Sequence, residues 1–331
     1  MTSIMAREAS ASPTLIAEQL TLNKPICERL AVRIRQFNPS VVYIIARGSS
    51  DHAGVFAKYL IEIELGIPVV AAAPSVVTVF NKQLKLDNAL VIGISQSGRS
   101  PDILQHMQMA KEAGALCLGL VNDETSPLAS LVDELIPLRV QQEVAVAATK
   151  SYLACLSALL QLVAYCKGDP DLIDAVTQIP QALSIAIDGP VQLEAKMFKD
   201  CDKCIVLGRG FGYAIAKEVA LKLKEVCAIQ AEAFSSAEFV HGPIALAQKP
   251  LMVLSLRLMD ESLEVHQQQI DDVIQRGARV VTLTLPSKSI HLRVAALVLM
   301  QRFYLDIAEV SLQLGCDPDV PKGLNKVTLT V

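Results

Sequence analysis

The chain has 331 residues, a net charge of −4 from 30 Lys and Arg against 34 Asp and Glu, and 52% apolar content. That suffices for a full core in one large domain or two of ordinary size. The mildly acidic balance and the 4% aromatic content exclude a phosphate-neutralising or base-stacking surface, so no nucleic-acid partner is expected.

The opening, MTSIMAREASASPTLIAEQL, lacks the charged-then-apolar order of a secretory signal and reads as part of an N-terminal segment over 1–28. From 29 to 168, short apolar runs alternate with helical stretches. VVYIIA (41–46), ALVIGIS (89–95), ALCLGLV (115–121) and ELIPLRV (134–140) read as buried strands, with helices over 50–64, 101–113 and 149–166. Continuous β-branched runs joined by helical crossovers imply an α/β fold with a parallel sheet covered on both faces. The longest apolar stretch, SYLACLSALLQLVAYC (151–166), is short for a membrane span and contains Gln161. It reads as core or subunit interface, and no membrane partner is expected.

A linker over 169–194 follows, and then the pattern recurs. Arg47-Gly48 of IIARGSSDHAG matches Arg209-Gly210 of VLGRGFGYAIA at an offset of 162. ALVIGIS matches PLMVLSL at 160, and AGALCLGLV matches RGARVVTLTL at 163. Three matches at nearly one offset imply a duplication, with a second domain over 195–316 and a tail over 317–331. Cys201 and Cys204 form a CxxC without a second pair or a nearby His, so no metal site is expected and the thiols read as strand-edge residues. Reduced thiols point to a cytoplasmic protein.

Two strand ends in the first repeat carry unusual loops, RGSSDH (47–52) and SQSGRSPD (95–102), each running into a helix. In an open parallel sheet, ligands bind beyond the carboxyl ends of the strands. Helix N-termini, serine hydroxyls and the close backbone approach that Gly48 and Gly98 allow all suit an anion. Ser50 and Ser100 could also be plain helix caps, but capping leaves Ser49, Ser95, Gln96 and Ser97 unexplained. With neither a Walker loop nor a GxGxxG, a small phosphorylated ligand is the simpler reading. The second repeat has Gly210 and Ser255 but no serine cluster, so one phosphate site per chain is expected.

The second repeat instead carries ionisable groups. Glu218, Lys222 and Glu225 fall at i, i+4 and i+7 on one helical face. They read either as a solvated ion-pair ladder or, with Glu232, Glu238 and His241 in the apolar stretch that follows, as an acid/base set facing the phosphate.

The motifs GSS, SQSG, EVAVAATK, ALKLKE, AEAF with the later HGP, and the lysine-bearing tail together resemble the sugar isomerase (SIS) family, more closely its members in the isomerase half of glutamine–fructose-6-phosphate aminotransferases. The resemblance runs from about residue 25 to 331. It implies two SIS subdomains, each a parallel sheet of about five strands between helices, plus the tail. It places sugar phosphate on Ser50, Ser95, Gln96, Ser97 and Ser100, with Ser49 alongside, and lines the sugar with Val146 and Ala147. Glu225 would move a proton between C1 and C2, supported by Lys222 and Glu218. His241 would open the sugar ring, reaching into the partner's site in a homodimer. Lys326 would meet the open-chain carbonyl. No cofactor or metal is implied.

The sequence departs from the family in places. The chain starts at the SIS region without an amidotransferase domain, and no cysteine follows the initiator Met. The family's SGET is Ser97-Gly98-Arg99-Ser100, and its NLAKS is Gly323-Leu324-Asn325-Lys326-Val327. The expected activity is therefore an amino-sugar-phosphate deaminase, turning glucosamine 6-phosphate into fructose 6-phosphate and ammonia. The rivals are a galactosamine-6-phosphate deaminase, a fructosamine-6-phosphate deglycase and a non-catalytic sugar-phosphate sensor.

Overall fold

A computed structural model of the chain describes residues 2–248, 251–287 and 290–326. The chain forms two compact units. One holds Thr14–Glu143, Lys150–Ile179, Asn325 and Lys326; the other holds the amino-terminal residues to Pro13, Val144–Thr149 and Pro180–Leu324.

Two helices lead in, α1 (Ile4–Ser10) and α2 (Ser12–Phe37). The latter runs unbroken through position 28, where the sequence suggested that an N-terminal segment ends. The first unit continues with β1 (Val41–Ile45), α3 (Ser49–Leu65), β2 (Val69–Ala71), α4 (Ser75–Thr78), β3 (Ala89–Ser95), α5 (Pro101–Glu112), β4 (Leu116–Val121), α6 (Pro127–Leu131), β5 (Glu134–Pro137) and α7 (Lys150–Lys167). The linker is helical, α8 (Pro170–Thr177) and α9 (Ile179–Ile187). The second unit follows with β6 (Lys203–Gly208), α10 (Phe211–Cys227), β7 (Gln230–Ser235), α11 (Ser236–Val240), β8 (Met252–Leu256), α12 (Leu263–Gln275), β9 (Arg279–Leu283) and α13 (Ala295–Gln313).

The first sheet is all parallel in the order β2-β1-β3-β4-β5. Its strands β3 and β4 are buried along their whole length, as their unbroken Val, Ile and Leu content demands of a sheet covered on both faces. The short β2 was not legible as a strand: it is three residues long at an edge, with only Val69 buried. β5 stops at Pro137, short of the expected 140, because a proline removes the next ladder donor and Arg139 takes a positive φ. The apolar stretch at 151–166 is α7, buried nearly all round and packed on α3, so it is core.

The second sheet, β7-β6-β8-β9, is also parallel. It has four strands among the described residues, one fewer than the first, since no apolar run like ELIP follows β9. The duplication is visible in the backbone. Gly48 and Gly210 sit before α3 and α10 with φ of 56° and 54°, and each helix is 17 residues long. Ser100 and Ser262 occupy the N-cap positions of α5 and α12, and Gly114 and Gly277 both take the left-handed conformation before the next strand.

Candidate active site

Strand order decides where a ligand can sit. In the first sheet, β1 and β3 are neighbours whose connections leave on opposite sides, which opens a crevice at their carboxyl ends. Both serine loops emerge there, Arg47–Ser50 after β1 and Gln96–Ser100 after β3.

The capping alternative fails for Ser50 and Ser100. α3 begins one residue early, at Ser49, with Gly48 as its N-cap. Ser100 holds the N-cap position of α5, yet its side chain makes no capping bond. Among the described residues neither hydroxyl has a hydrogen-bond partner, and both are half-buried. The loop itself is braced from within: Ser95 Oγ accepts from Gly98 N at 3.0 Å, and Ser97 Oγ from Arg99 N at 3.4 Å. Gly98 has φ of 62°, and a Cβ there would lie 2.2 Å from Ser126 Oγ, so only glycine fits. Gln96 is anchored through its carbonyl, which accepts from Asn122 N at 3.2 Å.

Arg99, which replaces the family's acid, is turned to Asp123. Its Nη2 lies 2.8 Å from Asp123 Oδ2. Hydrogen bonds from Thr125 and Arg99 lower the Asp123 carboxyl to about 2. Arg47 is likewise tied, by Nε at 2.8 Å to the fully buried Asp102.

In the second unit, the solvated-ladder reading of α10 is overturned. Glu218 and Lys222 are fully buried and Glu225 keeps 22% of its side chain exposed. Lys222 Nζ lies 3.1 Å from Glu218 Oε1 and 2.6 Å from Glu225 Oε2, while Tyr304 donates to Glu218 Oε1 at 3.2 Å. Burial by itself would lower the Lys222 basicity, but the two carboxylates outweigh it, and the amine is held charged with its pKa raised. The arrangement is a buried cation between two carboxylates, one of them reachable from outside. His241 caps the end of α11, its backbone N–H donating to Glu238 O at 3.0 Å; its ring is exposed and has no hydrogen-bond partner among the described residues. Among the described residues no hydrogen bond or ion pair joins it to Glu225.

Val146 and Ala147 lie on a loop held by α1 and the residues before the tail. Glu8 accepts from Val144 N at 2.7 Å and from Ala145 N at 3.1 Å, and Val146 N donates to Asp319 O at 3.0 Å. Val146 is half-buried, whereas Ala147 is buried.

Lys326 meets a partner that the sequence reading did not single out. Its Nζ donates to Glu143 Oε2 at 3.0 Å, and Glu143 also accepts from Ser151 N and Oγ at 3.2 and 2.7 Å. Beside it, Lys150 Nζ donates to Gln142 O at 2.8 Å. The available signal was an acid and a base, Glu143 and Lys150, in an otherwise apolar run, since charged groups are buried only when partnered. Lys326 is also the last described residue, so Val327 of the tail motif lies outside the description.

The strand-edge reading of the CxxC agrees with the geometry. Cys204 is buried, its thiol pushed up to about 12 by burial, and Cys201 Sγ faces Lys203 O at 3.3 Å. A cavity of about 540 Å³ lies at this end of the second sheet, lined by Met197, Cys201, Leu246 and Arg279 among others. It opens at the amino ends of β6, β8 and β9, the edge opposite to the one from which Arg209 and Arg257 leave. No helix is long and apolar enough to cross a membrane among the described residues, and no three His, Cys, Asp or Glu side chains gather there as a metal site.

Comparison with known proteins agrees with this layout. The SIS domain model matches residues 37–165 and 197–302, one span per sheet. Glutamine–fructose-6-phosphate aminotransferase (isomerizing) of Aquifex aeolicus is 32% identical across 99% of this chain, which in turn spans 57% of that enzyme's length. A Silicibacter pomeroyi protein, provisionally assigned as a phosphosugar isomerase, superposes with a TM-score of 0.90 at 33% identity over 96% of this chain and all of its own. The glucosamine-6-phosphate deaminase of Thermotoga maritima superposes with a TM-score of 0.75 at 22% identity, covering 99% of this chain and all of its own; that likeness speaks to the fold. With both sheets matched and relatives aligned along nearly its whole length, the chain belongs to the SIS domain family and resembles the isomerase portion of the aminotransferases.

Proposed function

We propose that the protein is an amino-sugar-phosphate deaminase of the isomerising type, which converts glucosamine 6-phosphate into fructose 6-phosphate and ammonia. The observation that carries this reading is the α10 triplet: a carboxylate, Glu225, partly open to solvent and held from behind by a buried, charged Lys222. A non-catalytic sugar sensor has no need of a partly exposed carboxylate held against a buried cation, whereas proton transfer between carbons needs a carboxylate base so placed.

In the proposed reaction, the hydroxyls of Ser50, Ser95, Ser97 and Ser100, with Ser49 and Gln96, hold the phosphate at the β1/β3 crevice. His241, acting across a homodimer, protonates the ring oxygen as the C1–O5 bond breaks and the anomeric hydroxyl loses its proton to water, which opens the pyranose to the C1 aldehyde. Glu225 removes the C2 proton while the C1 carbonyl oxygen takes up a proton from water, giving the enolamine, and it then returns a proton to C1, leaving a hydroxymethyl group at C1 and an imine at C2. One carboxylate serves both carbons because they are adjacent and it must reach each within about 3 Å. Water adds to the imine carbon, and ammonia leaves with the nitrogen. Lys326 would meet the open-chain carbonyl once released from Glu143, and Val146 and Ala147 would line the sugar.

These groups serve ammonia release and ammonia fixation alike. The release direction is favoured by the Thermotoga protein, named a glucosamine-6-phosphate deaminase, which this chain matches over that protein's whole length. The reading places the protein in the cytoplasm, where the phosphorylated sugar is found. Ammonia release from a panel of amino-sugar 6-phosphates tests it. Glucosamine 6-phosphate should release one ammonia per fructose 6-phosphate formed, and exclusive turnover of the galacto epimer or of a fructosamine 6-phosphate would reassign the substrate.

A further inference from the structure

The second sheet has a crevice of its own. In the order β7-β6-β8-β9, strands β6 and β8 stand as β1 and β3 do in the first sheet, so their carboxyl ends form the second unit's switch point. The residues leaving those two ends are both arginines, Arg209 after β6 and Arg257 after β8.

Neither arginine is neutralised. Arg209, the duplicate of Arg47, donates Nη1 to Ser235 Oγ at 3.3 Å, and no carboxylate pairs with it among the described residues. In the first unit Arg47 is neutralised by Asp102 on the first turn of α5. The corresponding position on α12 is Glu264, which is exposed and makes no ion pair among the described residues. Arg257 has a buried Nε without any hydrogen-bond partner, and it too lacks a carboxylate. The nearby acids are already committed: Asp260 Oδ1 accepts from Ser262 N and Oγ, and Glu261 is bound by both terminal nitrogens of Arg293 at 2.8 Å.

The surroundings agree. His266, 98% buried on α12, shares a hydrogen bond between its Nε2 and Ser255 Oγ at 3.0 Å, and its Nδ1 has no partner among the described residues. Burial and the two arginine charges hold its pKa down to about 4, so the imidazole is neutral and does not offset the arginines. α10 begins at Phe211 with Gly210 in the left-handed conformation before it, and Arg209 O, which accepts from Gly212 N at 2.8 Å, ties the arginine directly to the head of that helix. Ser262 Oγ reaches Arg209 O at 3.4 Å, bringing the start of α12 to the same loop.

We propose that the crevice between β6 and β8 is a second anion site, which binds a phosphate group, free or as a sugar monoester, through Arg209 and Arg257. The site is separate from the serine loops and goes beyond the proposed reaction. It would seat an effector at the head of the helix that carries Glu225, so that occupancy and the catalytic helix share one element. The earlier expectation of a single phosphate site per chain rested on counting serines, and arginine offers a bidentate grip on phosphate that needs none.

Inorganic phosphate titrated by calorimetry into the unaltered protein and into Arg209→Gln/Arg257→Gln tests this. The double variant should bind one equivalent per chain fewer than the parent, whatever number the serine loops bind. Equal stoichiometry in the two would overturn the proposal. Crystals of the unaltered protein soaked in tungstate give a reading independent of the variant's folding: an anomalous peak between Arg209 and Arg257 supports the site, and its absence contradicts it. Displacement of phosphate from this site by glucitol 6-phosphate assigns a sugar ester as its ligand, and no displacement assigns free phosphate.

Discussion

Lys222 Nζ sits 2.6 Å from Glu225 Oε2, with the amine wholly buried and the carboxylate partly open. The cation has a second neighbour, Glu218 Oε1, at 3.1 Å, and that carboxylate is buried as well. Lys222→Met would strand it. Removing one partner of a buried ion pair costs about 3–5 kcal/mol, so the midpoint of urea unfolding should fall clearly. Glu218→Gln added to Lys222→Met should recover part of the loss, because the stranded charge is gone.

The same cluster sets an alkaline limit. The pKa of Lys222 is raised in the folded protein relative to the unfolded chain. Its stabilising contribution is therefore complete below the ordinary lysine value of 10.5 and is lost as pH rises through the elevated one. Stability measured from pH 9 to 12 should fall more steeply in the parent than in Lys222→Met/Glu218→Gln.

The serine loop should control affinity for the phosphate. Ser97→Ala or Ser100→Ala removes a hydroxyl from a charged ligand at about 1.5–3 kcal/mol each, a rise in KM of roughly 10- to 150-fold. Gly98→Ala should be worse than either, since the added Cβ would meet Ser126 Oγ at 2.2 Å. Steady-state kinetics on glucosamine 6-phosphate, with the unphosphorylated sugar as the control, separates these effects.

Glu143 should act as the resting partner of Lys326. Glu143→Gln keeps an acceptor for Ser151 and gives up the ion pair. Acylation of Lys326 by a lysine reagent, read by mass spectrometry, should become faster in the variant, and kcat should change more than KM. Unaltered Lys326 reactivity would mean that the 3.0 Å contact does not hold the amine.

If His241 works across a dimer, mixtures of two inactive variants, Glu225→Gln and His241→Ala, should regain part of the activity after subunit exchange. Mixtures that stay inactive after exchange would make each site self-contained.

How far the sequence carries depends on the kind of signal. The unbroken apolar runs at 89–95 and 115–121 gave two strands to within a residue, because a strand buried on both faces reads as a continuous apolar run. The 162-residue offset between Arg47-Gly48 and Arg209-Gly210 was legible as duplication because both sites need the same left-handed glycine before a helix. Spacing put Glu218, Lys222 and Glu225 on one face, but it could not say whether that face meets water or protein; burial decides it, and burial belongs to the tertiary structure. The pairing of Glu143 with Lys326 was out of reach for the same reason: 183 residues separate them.

The most direct test of the account follows the C2 hydrogen. Glucosamine 6-phosphate is turned over in deuterated water by the parent and by Glu225→Gln, with ammonia and C1 labelling measured together. The parent should release ammonia in step with fructose 6-phosphate whose C1 carries either solvent deuterium or the transferred C2 hydrogen. Glu225→Gln should bind the substrate but lose about 10²–10⁴ in rate. Near-normal ammonia release by Glu225→Gln, or a parent that binds the sugar phosphate and neither exchanges C2 nor releases ammonia, would contradict the account.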